Sequence, residues 1–508
     1  MSIYLDGEAT GSLLLRASIS DQVGSPLPYS QGSSTGNHTL EVEYFLNGNV
    51  SLLVDSGTVT ISGGQIEVLF ELAPIPVTLS PQKVTAIATL RGSNAIYYPS
   101  TQLSKLPRRT DNGSVTRVDH LYGGLAVRKP RDTQWQAFFP YTYYVQWTLY
   151  WNTSVTTLNE FASMGYNVID IVPTGDLGDT PYPWAEFEPY LDRADELGLY
   201  LQFDVRWDYS NLTLMTALVS HYSTHPSILL WYTGDEPDGK SDPLNSTRIA
   251  YDTIRSIDPY HPVSLALNCA DFYYSDYASG AEIILSDVYP ISTNTSWSTV
   301  YETPCNATYG CCGCDDCHES FEDNSDRLDN FARFDDLLGW QKTHWRAPQA
   351  FGNETLWTRF PTAAEEVVMT MLSINHAAKG IVMWDFPTSA DILNVTCRLA
   401  TVLTSKTVAD FFIGGPLTSS LAVSGADKID ASVWVTANSV LLSVVNLNYG
   451  DTNQTVTVQL PAGLRVSGVA ELMWGDVVWN KTATRGGGSV RTSGLRGLEV
   501  SLVALDRS

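Results

Sequence analysis

The sequence contains few basic residues. Lys and Arg total 30 against 55 Asp and Glu, so the 508-residue chain has a formal net charge of −25. A nucleic-acid-binding protein needs a basic surface that displaces counterions from the phosphates. An anionic membrane surface repels a chain of this charge. We therefore expect no nucleic-acid partner, and the acidic balance fits an enzyme that stays in solution in mildly acidic surroundings.

Long apolar runs are also missing. The sequence has no run of about 18 apolar residues, which is the length that crosses a bilayer, so it predicts no membrane span. The first residues, MSIYLDGEATGS, have neither the basic start nor the apolar stretch of a signal peptide. Because the features below indicate secretion, we expect that such a peptide has been removed.

Histidine is scarce, and the motifs of nucleotide and redox cofactors are missing. The chain has 8 His, and the predicted strand ends carry almost none of them, so a His-based triad or metal site is not predicted. No Gly-rich phosphate loop follows the first strand of the central region, which argues against a dinucleotide-binding fold. We expect no cofactor and no metal.

Cysteine is confined mainly to one segment. Of 7 Cys, Cys269 and Cys397 stand alone and five lie between Cys305 and Cys317. The pair Cys314-x-x-Cys317 is compatible with half of a zinc site, but disulfides are favoured in a secreted chain. Six of the seven cysteines can pair, which leaves one free, and the spacing does not give the connectivity.

Glycosylation sequons are frequent and indicate the secretory pathway. Such sites are modified only there, and they must be exposed. The sequence predicts a secreted, extracellular glycoprotein. The sequon asparagines are Asn37, Asn49, Asn112, Asn152, Asn211, Asn245, Asn294, Asn306, Asn353, Asn394, Asn453 and Asn480.

Both ends of the chain have the pattern of β-sandwiches. Residues 1–112 and 413–508 contain runs that alternate apolar and polar residues between Gly, Ser, Asn and Pro turns. The middle, residues 116–412, alternates short apolar strands with amphipathic helices and contains a Cys-rich insertion at 293–324. We predict three domains, with a central (β/α)8 TIM barrel between two all-β domains.

Eight strand–helix units can be counted in the central region. The pattern places the first strand at 137–145, the seventh at 346–352 and the final helix at 392–412. Glu365 and Glu366 fall on a helix outside the barrel, where we expect them to be solvated.

The active site of a (β/α)8 barrel lies at the C-terminal ends of its strands. The predicted ends are rich in Asp, Tyr and Trp. Aromatic rings stack on sugar faces, while carboxylates and amides bind hydroxyls, so these residues predict a carbohydrate site. The candidate substrate-binding residues are Tyr141, Tyr143, Asp204, Trp207, Tyr232, Asn268, Tyr289, Gln349 and Trp384.

Strand four, THPSILLWYTGDEPDG, resembles the acid/base strand of the clan A glycoside hydrolases. In that clan a His-Pro-Ser-x-x-x-x-Trp run leads into Gly-Asn-Glu or Asn-Glu-Pro. The resemblance covers the barrel and extends to Trp384 on strand eight and to Asp287–Pro290 on strand six. It implies that Glu236 is the general acid/base, which requires a carboxyl group with a raised pKa. The matching residues of strand four are His225, Pro226, Ser227, Trp231, Gly234, Asp235, Glu236 and Pro237.

Two departures from the clan leave the second catalytic group open. Retaining members carry a Glu nucleophile on strand seven, where this chain has Gln349 or Ala350. Asp235 stands where the clan has Asn, and an Asp-Glu pair resembles the substrate-assisted β-N-acetylhexosaminidases, which need no enzyme nucleophile. Alternatively, Asp287 or Asp385 is the nucleophile, or the base of an inverting mechanism.

We therefore predict a secreted, monomeric glycoside hydrolase that cleaves β-linked sugars of a polysaccharide or glycan, with Glu236 as acid/base. Asp235, Asp287 and Asp385 are the other catalytic candidates. One alternative is the substrate-assisted enzyme that uses Asp235 and Glu236. Another is a non-catalytic carbohydrate-binding or cell-wall protein on a hydrolase scaffold.

Overall fold

The computed structural model describes residues 2–20, 22–24, 38–46, 53–61, 63–173, 184–291, 297–298, 303–304, 314–354, 356–484 and 487–508. These residues form two compact units. The first comprises 1–111, 117–121 and 335–341, and the second comprises 112–116, 122–334 and 342–508. Most of the predicted Cys-rich insertion lies outside the described residues, including Cys305, Cys311 and Cys312. The sequons at Asn37, Asn49, Asn294 and Asn306 also lie outside them.

The first unit is built on β-sheets. Strand β6 alternates buried and less buried residues along its length, as a half-buried strand does. The main sheet has the order β1-β8-β6-β3-β4, with β7 paired to β6, while β2 pairs with β5. Leu13, Phe70, Val42 and Val84 from the two sheets share one hydrophobic core. The strands are β1 Ser2–Leu5, β2 Thr10–Leu15, β3 Thr39–Leu46, β4 Leu53–Thr60, β5 Ile66–Glu71, β6 Gln82–Leu90, β7 Ile96–Tyr97 and β8 Ser100–Leu106.

The second unit contains a closed barrel of eight parallel strands, which confirms the predicted TIM barrel. Three short strands precede it: β9 Val115–Val118, β10 Leu125–Arg128 and β11 Gln136–Phe138. The barrel strands are almost wholly buried, because helices cover their outer side and side chains fill the interior. They are β12 Tyr141–Gln146, β13 Val168–Val172, β14 Tyr200–Asp204, β15 Ile228–Asp235, β16 Val263–Leu267, β17 Ile283–Ser286, β20 Thr343–Arg346 and β21 Ile381–Phe386, with β18 Trp297–Ser298 and β19 Thr303–Pro304 forming a separate pair.

Helices follow the barrel strands. Most of those with an assigned N-cap start at an Asn, Ser or Thr, and at Asn211, Thr362, Ser389 and Ser405 the side chain accepts a hydrogen bond from a backbone N–H of the first turn. None of the helices in the described ranges is long and apolar enough to cross a membrane. The helices are α1 Thr157–Ser163, α2 Trp184–Leu197, α3 Leu212–Tyr222, α4 Ser246–Ile257, α5 Tyr274–Ala278, α6 Glu322–Leu338, α7 Ala363–Asn375, α8 Ala390–Leu403 and α9 Lys406–Gly414, with a 3-10 turn at Trp151–Thr153.

Three predicted elements of the barrel need correction. The segment predicted as one strand at 137–145 is divided between β11 and β12, and Pro140, which has no N–H to donate, stands between them. Strand seven ends at Arg346, and Pro348 stands within the segment predicted as that strand. The helix predicted at 392–412 is two helices, because Ser405 accepts a hydrogen bond from Val408 N and starts a new one.

Glu365 and Glu366 are buried, which contradicts their expected solvation. The Glu365 carboxylate completes a capping box with Thr362 at the start of α7 and pairs with Arg359 at 2.7 Å. Burial raises the pKa of Glu366 well above its usual range, and Thr370 donates to Glu366 Oε1 at 3.1 Å. The helix period alone did not show that two adjacent carboxyl groups are covered.

The cysteine prediction is corrected in part. Cys314 and Cys317 form a disulfide, which agrees with the preference for a disulfide over a zinc site. Cys269 and Cys397 are both free thiols. Because the pairing of six cysteines would leave one free cysteine and the structure has two, that pairing is wrong.

The last part of the second unit is a pair of sheets that share one core. The five-stranded sheet has the order β22-β24-β25-β30-β27, and the four-stranded sheet has the order β23-β26-β29-β28. Val433 and Leu442 of the first sheet pack with Val458 and Val490 of the second. The strands are β22 Leu417–Thr418, β23 Val423–Ser424, β24 Ile429–Val435, β25 Ser439–Asn446, β26 Val456–Gln459, β27 Val466–Trp474, β28 Asn480–Thr484, β29 Gly487–Thr492 and β30 Val500–Arg507.

Candidate active site

The end of strand β15 presents Glu236 at the mouth of the barrel. The backbone N–H of Glu236 still donates to Ala266 O of the neighbouring strand, at 3.1 Å. Glu236 then turns into the left-handed region with a φ of 53°, which is uncommon for a residue with a side chain. Lys240 N donates to Glu236 O at 3.0 Å and fixes the turn. Glu236 therefore has a defined, half-buried place directly after strand β15.

Asp287 directly follows strand β17 and meets Glu236. The Glu236 carboxyl group lies close enough to Asp287 for its negative charge to act directly on the Asp287 carboxyl group. Asp287 is only 7% exposed, and burial together with the nearby Glu236 charge raises the pKa of Asp287 well above its usual range. No N–H or hydroxyl group of the described residues donates to Asp287 Oδ1. The structure thus brings together two of the four predicted catalytic carboxyl groups.

Asp235 has a different environment from its neighbour Glu236. The Tyr232 hydroxyl donates to Asp235 Oδ1 at 2.7 Å. Arg206 and Lys240 lie 3.0 and 3.1 Å from Asp235 Oδ2. Burial opposes ionisation, but these two cations hold the pKa of Asp235 below its usual value. Both oxygens of Asp235 are therefore engaged by protein groups.

Arg206 follows strand β14 and forms with Asp204 and Tyr232 a buried cluster, called here the barrel floor. Its guanidinium lies 5.2 Å from the ring centroid of Tyr144, 5.3 Å from that of Tyr232 and 5.4 Å from that of Trp384. It also pairs with Asp204 at 2.7 Å. Burial raises the pKa of Asp204 to about 6, although Arg206 opposes the shift. Asp204 and Tyr232 thus form a buried floor rather than a wall of the cleft.

The fourth predicted carboxylate, Asp385, lies at the end of strand β21. Gln146 Nε2 donates to Asp385 Oδ2 at 2.7 Å, and burial raises the pKa of Asp385. Among the described residues, Asp385 is therefore hydrogen-bonded to strand β12, and no contact is found between Asp385 and the Glu236–Asp287 pair.

Aromatic side chains lie on or just after strands β14, β17 and β21, with Tyr289 near the pair. Burial raises the pKa of Tyr289, and the nearby Asp287 and Glu236 raise it further. Trp207 is 53% exposed, with its ring beneath Lys240 Nζ at 5.7 Å and its indole N–H bound to Pro173 O at 2.9 Å. Trp384 is half-buried, and its ring centroid lies 5.3 Å from that of Tyr144. Trp207 and Trp384 thus keep part of their aromatic surface exposed.

Three predicted substrate-binding residues do not line the mouth. Tyr143 is fully buried, and its hydroxyl bonds Thr396 of helix α8 at 2.8 Å. Tyr141 is also fully buried, and its ring stacks on Tyr166 at 6.1 Å. Gln349 is fully buried and its side-chain amide exchanges two hydrogen bonds with the backbone of Ile291, at 2.9 and 3.0 Å. These side chains serve packing, because none of them reaches an exposed surface.

Asn268 is half-buried beside the turn that follows Glu236. A Cβ atom on Gly239 would lie 2.5 Å from Asn268 Oδ1, so the Asn268 side chain packs directly against the Gly239 backbone. Sequence reasoning left Tyr144 and Arg206 out of the site. Alternation along strand β12 offered a signal, because a strand that turns Tyr141 and Tyr143 outward turns Tyr144 inward. No group of three or more His, Cys, Asp or Glu suited to a metal ion occurs in the part of the chain that the structure describes.

Comparisons with known proteins give structural likenesses only. No protein-family model matches the chain. No curated protein matches it. Among solved structures, the chain is similar to a β-D-glucuronidase from Dictyoglomus thermophilum at 11% identity and a TM-score of 0.37, over 68% of this chain and 57% of that one.

In two other comparisons, the similarity extends over almost the whole length of the solved structure. A maltogenic α-amylase from Thermotoga neapolitana has 12% identity and a TM-score of 0.45, over 72% of this chain and 98% of that one. A β-L-arabinopyranosidase from Geobacillus stearothermophilus has 11% identity and a TM-score of 0.44, over 73% and 97%.

Proposed function

We propose that the chain is a glycoside hydrolase in which Glu236 and Asp287 supply the two catalytic carboxyl groups. The observation that carries the proposal is that Glu236 and the buried Asp287 lie close together at the C-terminal ends of strands β15 and β17. Glycosidic bonds are cleaved by two carboxyl groups, one protonated and one ionised. The resemblance of strand four to the clan A hydrolases adds the expectation of a β-linked substrate.

The environment of the pair assigns the roles. Asp287 is the more buried partner, and burial together with the nearby Glu236 raises its pKa, so we assign the role of proton donor to Asp287 and the role of nucleophile to Glu236. Asp287 then donates its proton to the glycosidic oxygen as the C–O bond breaks, while a Glu236 oxygen bonds to the anomeric carbon. Water next attacks that carbon, returns its proton to Asp287 and releases Glu236. The resemblance alone implies a different assignment, in which Glu236 is the acid.

The close contact favours retention over inversion. An inverting enzyme keeps its carboxyl groups about 6.5–9.5 Å apart to hold a water molecule between one of them and the sugar. The strong effect of Glu236 on the pKa of Asp287 supports the shorter separation, about 5–5.5 Å, of retaining enzymes. The substrate-assisted alternative needs a free Asp235 oxygen to orient an acetamido group, and both Asp235 oxygens are already bound to protein groups.

The test is hydrolysis of a panel of nitrophenyl β-glycosides that includes hexosides, a glucuronide and N-acetylhexosaminides. Glu236→Gln and Asp287→Asn are each expected to lower kcat/KM by about 10²–10⁴-fold. Asp385→Asn is the matched control and is expected to keep most of the activity. Full activity in Glu236→Gln and Asp287→Asn would overturn the proposal. A silent panel, followed by polysaccharide binding without cleavage, would favour the binding protein.

Azide separates the two role assignments. With Glu236→Ala, azide attacks a β-glycoside directly and gives the α-glycosyl azide if Glu236 is the nucleophile. With Asp287→Ala, a glycosyl-enzyme still forms from an activated substrate, and azide gives the β-glycosyl azide. If Glu236 is the acid and Asp287 the nucleophile, the two products are exchanged.

We also propose that the protein is secreted and glycosylated. All eight sequon asparagines within the described residues are exposed, as an oligosaccharide requires: Asn112, Asn152, Asn211, Asn245, Asn353, Asn394, Asn453 and Asn480. Expression in a eukaryotic secretion host, followed by treatment with an amidase that removes N-glycans, is expected to reduce the apparent mass. An unchanged mass would contradict glycosylation.

A further inference from the structure

Strand β20 ends in a buried arginine that contacts the backbone around Asp287. Arg346 is fully buried. Its Nη1 donates to Ser286 O, and its Nη2 donates to Val288 O, so the guanidinium binds the carbonyl groups on both sides of Asp287. Nη1 also donates to Ala347 O at 3.0 Å. Arg346 on strand β20 thus binds the backbone on both sides of Asp287, the proposed acid, which follows the neighbouring strand β17.

Arg346 Nη2 also contacts helix α6. Asn324 of helix α6 accepts a hydrogen bond from Arg346 Nη2 at 2.6 Å. Asn324 in turn donates to Phe321 O at 3.0 Å, which fixes the amide. The backbone continues the strand pairing, since Ala347 N donates to Ser286 O at 3.0 Å. Arg346 therefore connects α6, β20 and the end of β17 in one rigid arrangement.

We infer that Arg346 is a positioning residue that fixes Asp287 against Glu236, and this rests on the proposed function. The Asp287 carboxyl group has no N–H or hydroxyl donor to Oδ1 among the described residues, so its direction depends on its backbone. The backbone in turn is held on both sides by one guanidinium. A displacement of about 1 Å in a reacting group is enough to reduce a rate by about 10²-fold.

The charge of Arg346 has a second effect. Burial lowers the pKa of Arg346 to about 10, which leaves the side chain cationic at neutral and acidic pH. A nearby cation favours the ionised form of Asp287, so removal of the cation is expected to raise the pKa of Asp287 further. The ionisable and charged groups that act on Asp287 from the elements around it are Asp235, Glu236, Asp238, Tyr289, Arg327 and Arg346.

Arg346→Lys and Arg346→Met test the inference. Lys keeps the charge but cannot hold both carbonyl groups in the geometry of a guanidinium. Both variants are expected to lower kcat about 10–100-fold with KM within about twofold. The basic limb of the kcat/KM profile is expected to move to higher pH in Arg346→Met and to stay in place in Arg346→Lys.

Lys379→Met is the control for the loss of a buried cation. Lys379 lies just before strand β21 and is 5% exposed. Its ammonium group donates a hydrogen bond to Phe412 O at 2.6 Å. This variant is expected to lose stability without a change in the pH profile. If the Arg346 variants do not fold, Asn324→Leu and Asn324→Asp decide. The Leu variant removes the acceptor and is expected to lower kcat, whereas the Asp variant keeps an acceptor and most of the rate.

The inference and the proposed function fail differently. If the folded Arg346 variants, or Asn324→Leu in their place, keep the wild-type kcat and pH profile while Asp287→Asn is inactive, the positioning role is wrong and the hydrolase proposal stands. If Asp287→Asn is fully active, the proposed function itself is wrong.

Discussion

Arg206 Nη1 lies 3.0 Å from Asp235 Oδ2, so the carboxylate that directly precedes Glu236 is held in a buried ion pair. Asp235 and Glu236 are adjacent in sequence but therefore have different roles. Asp235 supports the barrel floor, where Arg206 also pairs with Asp204. Glu236 leaves the strand and joins Asp287, which makes it available for chemistry.

Asp235→Asn is expected to reduce stability more than it reduces catalysis. The change neutralises one of the two carboxylates that pair with the buried Arg206, while Asp204 remains, so a loss of about 2–3 kcal/mol is expected. Denaturant unfolding measures the loss. Asp385→Asn is the control, since its partner Gln146 is neutral, and a loss of about 1 kcal/mol is expected there. Equal losses would contradict the role of Asp235 as an ion-pair partner.

A glutamate at position 349 is expected to leave activity unimproved. Gln349 is fully buried, and its amide exchanges hydrogen bonds with the backbone of Ile291. Gln349→Glu places a charge where an amide N–H donated to Ile291 O, so we expect a loss of about 3 kcal/mol or more in unfolding free energy. Activity assays on the same preparation complete the test. A gain in kcat would show that strand seven retains a latent nucleophile position.

Trp207→Ala is expected to weaken substrate binding with little loss of stability. The ring is half exposed, so its removal leaves no large cavity. Loss of a stacking surface is worth about 1 kcal/mol, which corresponds to a roughly fivefold rise in KM with kcat nearly unchanged. Steady-state kinetics on the best substrate of the panel measure both constants. A large drop in kcat with unchanged KM would instead place Trp207 in the chemical step.

His376 is expected to make stability depend on pH on the alkaline side. Its ring pairs with Asp329 at 2.9 Å and with Asp430 at 3.2 Å, and Asp430 belongs to strand β24 of the C-terminal sheets. Burial opposes protonation, but the two carboxylates raise the pKa of His376 to about 10.

The sign follows from the raised pKa. The stabilisation is fully present below the unfolded pKa of about 6.5 and is lost as pH rises through about 10. Unfolding free energy is therefore expected to fall between pH 7 and pH 10 in the wild type. His376→Gln should remove this slope and cost about 3 kcal/mol at pH 7. An unchanged slope in that variant would contradict the assignment.

The sequence predicted the barrel because strand and helix periods are local properties. It placed strand seven too late, since a short apolar run continues past Arg346, where only an isolated bridge between Gln349 and Trp384 remains. It joined two helices because the capping role of Ser405 depends on one side-chain hydrogen bond. The misassigned Tyr143 shows the same limit, since the inward or outward direction of a strand residue depends on the register of the whole barrel.

The site was predicted in part. The turn after strand four carries a local motif, and it led to Glu236. The partner Asp287 was one of several open choices, because sequence does not show that the ends of strands four and six lie together. Arg346 gave no signal, since its role consists entirely of contacts with the backbone of a neighbouring strand and with Asn324.

The barrel floor has a consequence for variation among relatives of this chain. Arg206 is enclosed by Tyr144, Tyr232 and Trp384 and is balanced by Asp204 and Asp235. A neutral residue at position 206 would leave the buried Asp204 without its counter-charge and Asp235 with Lys240 alone, so the three charged positions should change together. An alignment of related sequences should show them as a covarying set that is inherited as a unit, while the sugar-contacting rim varies independently.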